Sequence, residues 1–489
     1  MKKFIFTALT VGAFASFSLQ SCTNLDEPVY DAIPADQFLK TDAQVAAALG
    51  PAYGGLRGIT WDWFNPSEAS SDELIVPTRG GDWFDNGDWL AYSRHTWTPQ
   101  HGPINGMWGF IFGNISQVNQ LIPVVSTNKA AVDELRAIRA FYYFMAIDAF
   151  GNVPIVTDAT SNGGTKTRAE VYAFLEKELT ESIPSLTAGK AYSRMTQDAG
   201  NMLLAKLYLN AGVYKGSPEW QKALDAVNKV IASKNAYALS ASTLSNFIVQ
   251  NQGSGENIWT IPYDSFKAGG MNFQMRTLHY ANATTYGLSN SPWNGFCTLA
   301  DFYNSFEKTD LRKAMWIEGQ QYAASGAKLL DAKNQPLAFI ADFAKDQMTD
   351  ADPEFQVAGI RSQKYEIQRN NPNGDQSNDY VVFRYADALL MKAEASFRLG
   401  KTADALVEIN KIRVRSGVAP MTTLTDKDIL AERGREMAWE GWRRNDMIRF
   451  GTFSLERKFM KNLNKTRELF PIPQARIDAN PLLKQNPGY

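Results

Sequence analysis

Two runs of apolar residues at helical spacing, parted by one glycine, constrain this chain more than any other feature. Within 380–399, Phe383, Ala386, Leu390, Ala393 and Phe397 recur at three- and four-residue steps and share one face of a predicted helix. Gly400 breaks that helix, and 402–415 starts another with Leu406, Ile409 and Ile412 inward. The theme also occurs earlier in the chain. The pattern predicts helices over 42–49 with Thr41 as cap, 108–121 stopped by Pro123, 132–150 ended by Gly151, and 168–183 ended by Pro184. A further helix–turn–helix is predicted from 197–211 and 220–232, with Gly212, Gly216 and Pro218 in its turn.

The expected fold is therefore mainly α. The pairs, with Ala and large side chains alternating at the seam, resemble tetratricopeptide repeats, and 380–415 is close to the roughly 34-residue period of that unit. Such pairs stack into a right-handed scaffold. Its frame falls at about 41–235 and 380–450. Two stretches break the pattern, 60–106 and 237–379, both rich in turn residues, and loops on a rigid frame are where binding groups tend to lie.

The first residues are a different kind of segment. Lys2 and Lys3 precede an uncharged apolar stretch over 4–17, closed by Leu19-Gln20-Ser21-Cys22. This reads as a secretory signal peptide over 1–21, too short to span a bilayer, with a small residue before Cys22 as in a bacterial lipobox. Lipidation of Cys22 and acylation of its freed amine would anchor residues 22–489, one domain, to a membrane. Asp26 and Glu27 follow closely. With Cys22 lipidated, Cys297 has no partner for a disulfide and reads as a buried inert thiol.

A formal net charge of −1 gives no field to gather nucleic acid or an anionic surface. Only three histidines are present, with no H-E-x-x-H, cysteine cluster, G-x-S-x-G, phosphate loop or dinucleotide fingerprint. Zinc hydrolase, serine esterase and nucleotide-binding readings thus lack support.

The C-terminal part is more specific. The run Phe383-Arg384-Tyr385-Ala386-Asp387-Ala388-Leu389-Leu390-Met391-Lys392-Ala393-Glu394-Ala395 resembles the signature helix of the SusD/RagB family. Glu432-Arg433-Gly434-Arg435-Glu436, continuing through Glu440-Gly441-Trp442-Arg443 to Arg449-Phe450, is similar to a second family signature, with Trp439 where Phe is commoner. The ending Phe470-Pro471-Ile472-Pro473, Asn480-Pro481 and Asn486-Pro487-Gly488-Tyr489, together with Ser71-Asp72-Glu73 and His95-Thr96-Trp97 near the front, extends the match over essentially the whole chain. The resemblance implies a non-enzymatic lipoprotein of the outer membrane. It implies a SusC-type TonB-dependent transporter as partner, with an oligosaccharide, or in some members a peptide, held at the transporter mouth.

By spacing alone, 432–449 reads as one charge-laced frame helix whose exposed pairs contribute only about 0.3–0.5 kcal/mol each. The ligand site is sought in the loops. Within eight residues Arg79, Asp82, Trp83 and Asn86 combine an aromatic platform for the apolar face of a sugar with polar groups for its hydroxyls, and Gly80-Gly81 allow a sharp turn. A second candidate loop, over 280–293, supplies Tyr286, Asn290 and Trp293. Trp61 and Trp63 could join the rim, whereas Trp89, Trp97 and Trp108 read as core. Asp82, Asp85 and Asp88 leave two further readings open: a surface glycosidase using paired acids, and a bound Ca²⁺, although the spacing misses the calcium-loop pattern. No cofactor is expected.

Overall fold

Capping chemistry sets several of the helix starts. Thr41, Thr167 and Thr425 each accept a backbone N–H from the residue three places on, and Gln44, Glu170 and Asp428 return the bond. Asn128 and Thr196 cap two more helices through their side chains. Residues 39, 41–158, 160 and 163–489 are described here, from a computed structural model. The expected leader and Cys22 lie outside them.

The frame comprises α1 (Asp42–Gly55), α2 (Gly102–Val124), α3 (Lys129–Ala149), α4 (Arg168–Ser182), α5 (Gln197–Leu209) and α6 (Trp220–Ile231). It continues with α7 (Tyr385–Arg398), α8 (Thr402–Arg415), α9 (Asp426–Met437) and α10 (Arg443–Arg449). Neighbours in sequence pack as antiparallel partners: α2 on α3, α3 on α4, α5 on α6, α7 on α8. Helix α6 packs directly on α7, so residues 232–384 leave the stack and return to it. Helix α3, covered on both sides, is buried over almost its whole length. Its carboxylates and Arg139 find partners at once, Arg139 reaching Glu178 of α4 at 2.6 Å.

The excursion is closed by two antiparallel strands, β1 (Asn257–Ile261) and β2 (Tyr380–Arg384). The helix predicted to begin at 380 thus starts five residues later. Tyr380-Val381-Val382-Phe383 is β-branched and aromatic, and its backbone finds a ladder in β1, so the strand prevails over helical periodicity.

A larger correction concerns 432–449. The run is two helices, not one, and most of it is buried, not exposed. Helix α9 ends at Met437, and Trp439 (φ 58°) and Gly441 (φ 84°) turn the chain through the left-handed region before α10. Arg384 lies at the centre of the resulting charge cluster. It donates to Glu440 at 2.8 and 2.7 Å, to Glu436 at 2.6 Å and to Glu256 at 2.8 Å. Lys364 donates to the Glu440 carboxylate and to the carbonyls of Glu436 and Ala438. Arg312 grips Asp310 through two nitrogens and reaches Glu432 at 2.7 Å. Arg415 and Arg413 complete the set on Glu256, Glu436 and Glu432. Burial alone would push the Glu436 carboxyl up, but Arg415, Arg384 and Arg312 hold it well below the usual carboxylate range.

The C-terminal tail is also fastened. Asn486 donates to the carbonyls of Phe150 and Phe470 at 2.8 Å, and the Arg444 guanidinium lies 4.5 Å from the Phe470 ring centre. Cys297 is free and buried, with its Sγ toward the carbonyl of Ile75.

Replacing Arg384 by Met would leave Glu436 and Glu440 buried with too few cations. The expected loss is about 3–5 kcal/mol, read as a lower urea midpoint; an unchanged midpoint would show that the cluster contributes little to stability.

Candidate functional site

Two loops meet above the frame and set aromatic rings side by side. The first is the wide turn Ile59–Trp63. Thr60 donates its hydroxyl to the carbonyl of Gly270 at 2.9 Å and accepts from Arg276 through its own carbonyl, which pins the turn. Trp61 consequently points outward and is 44% exposed. The Arg276 guanidinium supports its inner face, 4.6 Å from the ring centre. Burial lowers the Arg276 pKa to about 9, so it stays charged at neutral pH.

The second loop carries a run of left-handed residues: Gly80 (φ 62°), Trp83 (57°), Asp85 (39°), Asn86 (56°) and Gly87 (86°). Such conformations cost of order 1–3 kcal/mol at a non-glycine residue and persist only where the surroundings enforce them. Here the enforcement is visible. Arg79 and Asp82 exchange backbone hydrogen bonds at 3.0 Å, Trp83 donates its Nε1–H to the Trp293 carbonyl at 2.6 Å, and Trp89 donates to Asp85 at 2.7 Å. A Cβ on Gly295 would come within 2.3 Å of the Trp83 indole, so only glycine lets that ring settle.

The rings form a continuous row. Trp61 meets Trp89 at 6.2 Å, Trp89 meets Trp83 at 5.0 Å, and Trp83 meets Trp293 at 6.3 Å between centres. Trp89 is buried and Trp83 half-buried, whereas Trp293 is 36% and Phe84 40% exposed. The outcome is an open aromatic shelf with buried rings beneath it. At its edge Tyr280 donates its hydroxyl to Asp82. Burial, and then the Asp82 charge, push the Tyr280 hydroxyl well above its usual range, so it remains protonated.

The structure brings Asp82, Trp83 and Trp293 to this shelf, whereas Asn86, on the same loop, lines a separate recess with Asp88, Thr96, Gln100 and His101. The structure does not bring Arg79 or Tyr286 to the shelf. The Arg79 side chain is buried and committed to the carbonyls of Asn294 (2.6 Å), Ala358 (2.9 Å) and Pro77 (3.2 Å), so it builds the loop and offers nothing outward. Tyr286 is buried, with the Arg369 guanidinium 4.8 Å from its ring centre, so it presents no open face. Trp63 is likewise buried, unlike its neighbour Trp61. Trp97 and Trp108 are core, as expected. Tyr280 and Phe84 lie within the two loop stretches that the sequence marks, without being proposed as ligand residues; Arg276 and Gly295 lie outside both. Only Gly295, following Trp293-Asn294, carried a local signal of close approach.

The three loop acids do not converge. Asp82 serves Tyr280, Asp85 serves Trp89, and Asp88 faces His101 at 3.5 Å. Among the described residues no group of three or more His, Cys, Asp or Glu is placed to hold a metal ion.

Residues 255–468 match the SusD family, and residues 75–209 match a family described as starch-binding and associating with the outer membrane. The starch-binding protein SusD of Bacteroides thetaiotaomicron is 26% identical over 481 residues, covering 87% of this chain and 85% of that protein. SusD-like protein P38 of Formosa agariphila is 25% identical over the full length of both. A solved structure, surface glycan-binding protein A from Bacteroides thetaiotaomicron in complex with laminarihexaose, superposes with a TM-score of 0.74 at 22% identity, covering 91% of this chain and 99% of that one. This chain is a member of the SusD/RagB family.

Within this SusD/RagB chain, a buried acid pair supports the shelf from below. Glu68 accepts the Gly441 N–H at 2.5 Å and Glu73 accepts the Trp439 N–H at 2.9 Å, stapling the left-handed turn. Trp439 in turn packs on Phe296, which contacts Trp83. The remaining oxygens, Glu68 Oε2 and Glu73 Oε1, accept no hydrogen bond, and Arg443 Nε stands 3.8 Å from Glu73 Oε1; one proton shared by the two carboxyls would satisfy both. Arg443 and Lys364 are the nearby cations, and Asp72 a nearby anion. Burial pushes both carboxyls up, Glu68 to about 7, and the Glu68 charge raises Glu73 further.

An acid whose folded pKa is raised holds a proton that the unfolded chain has released above its ordinary pKa near 4.3. Stability should therefore fall as pH rises from about 5 through about 7. Glu73→Gln, which keeps the acceptor for Trp439, is expected to flatten that decline in melting temperatures measured from pH 5 to 8; an unaltered slope would exclude the shared proton. Gly295→Ala is expected to change the near-UV circular dichroism of the indole row while leaving the far-UV spectrum intact.

Proposed function

We propose that this protein captures oligosaccharides on the aromatic shelf and passes them to a TonB-dependent transporter of the SusC type. In this reading it is held at the outer-membrane surface by lipid on Cys22. The observation that carries the proposal is the outward exposure of Trp61 and Trp293 over a buried aromatic and cationic support. A pyranose ring has an apolar C–H face and a rim of hydroxyls. The indoles suit the face, while the Tyr280–Asp82 pair suits the rim. Related proteins named for binding starch and for a complex with laminarihexaose support the same class of ligand.

No carboxylate of the 82–88 loop is placed as an acid–base partner to another, which favours capture over cleavage. An open shelf suits weak, reversible holding, with dissociation constants on the order of micromolar to millimolar. Affinity gels containing starch, laminarin or other polysaccharides should retard the protein. Trp61→Ala and Trp293→Ala should each weaken retention about 5- to 30-fold, as loss of roughly 1–2 kcal/mol of stacking implies. Release of reducing sugar on incubation would instead establish an enzyme, and retention unchanged in both variants would remove the shelf as the site.

A further inference from the structure

We infer that the shelf selects saccharides without carboxylate or sulfate groups, a specificity that rests on the reading of the shelf as a saccharide platform. The argument is an inventory of charges and donors. Asp62, Asp82, Asp85 and Asp88 stand on the two loops that carry Trp61 and Trp83. None of the four is within ion-pair distance of a lysine or arginine; Asp88 has only His101. Burial lowers the His101 pKa, which keeps that ring neutral. Two guanidiniums lie nearby, but both are buried and engaged. Arg79 is spent on three carbonyls, and Arg276 on Thr60, Asn65 and Asn272 beneath Trp61. Four carboxylates against these two guanidiniums leave the balance over the two loops negative, and the cationic members are the ones buried away from solvent.

The hydrogen-bond donors point the same way. Tyr280 donates its hydroxyl hydrogen bond to Asp82, Trp83 its N–H to the Trp293 carbonyl, and Trp89 its N–H to Asp85. Those pairs take up the three ring donors and leave the remaining lone pairs of Asp82 and Asp85, which only accept. A sugar hydroxyl can donate to them. A uronate carboxylate or a sulfate ester cannot, and would meet like charge in a site partly shielded from water, where screening is weaker than in bulk.

The test uses the mature protein and two polymers, starch and laminarin. Each is offered in native form, with its primary hydroxyls oxidised to carboxylates, and sulfated. Isothermal titration or affinity gels at low salt should give native binding at least tenfold tighter than either charged form. The gap should shrink as salt is added, and Asp82→Asn combined with Asp85→Asn should narrow it. Charged forms binding as tightly as the native polymer, or more tightly, would overturn the charge selection while leaving saccharide capture standing. Retention of no form, in these polymers and a wider panel of neutral glycans, would overturn the capture reading and this inference with it.

Discussion

The arrangement of the molecule rests on the buried cluster around Arg384 and Glu436. Its members come from β2, from α8 and α9, from the start of the excursion at Glu256 and from its middle at Arg312 and Lys364. Apolar packing is non-directional and tolerates sliding, whereas a guanidinium held by several carboxylate oxygens fixes distance and angle together. The excursion is therefore keyed to the frame by geometry as well as by burial. The stability contributed by such a cluster is modest compared with the penalty for breaking it, because any survivor is left as a buried unpaired charge.

The cluster also explains what could be read in the sequence and what could not. Helix pairs such as α7 and α8 were legible because their inward residues repeat locally, and the boundaries of α8 were read correctly. The run at 432–449 was not, because the rule for neighbouring charges assumes solvent on the outer side. Its actual partners lie elsewhere in the chain: Arg312 is 120 residues from Glu432, and Asp72 is 371 from Arg443. Residues 380–384 look helical from within, and only the distant strand β1 shows otherwise.

The candidate site divides in the same way. Trp83 and Asp82 are legible because glycines and polar residues crowd one short loop, and Trp293 because a similar composition surrounds it; Asn86 shares that loop but lies on another recess. Arg79 has the same local setting and is nonetheless buried, since its acceptors Asn294 and Ala358 arrive from 215 and 279 residues away. Arg276, outside both loop stretches, and Tyr280, at the edge of the second, show the converse. Nothing beside them in sequence reveals that they lie under Trp61 and against Asp82. The shelf itself is pre-organised: its indoles are braced by ring contacts, backbone bonds and a guanidinium, so little side-chain freedom remains to be lost on contact.

The pairing of β1 with β2 has a consequence for how such a molecule can diversify. Because α6 and α7 touch, the intervening segment leaves and re-enters at neighbouring points, zipped together by that short ladder. The excursion thus behaves as a cassette clipped into an unbroken spiral of helices. Its interior can lengthen, shorten or change composition while the clip and the spiral stay as they are, so new ligand preferences can be tried without refolding the chassis.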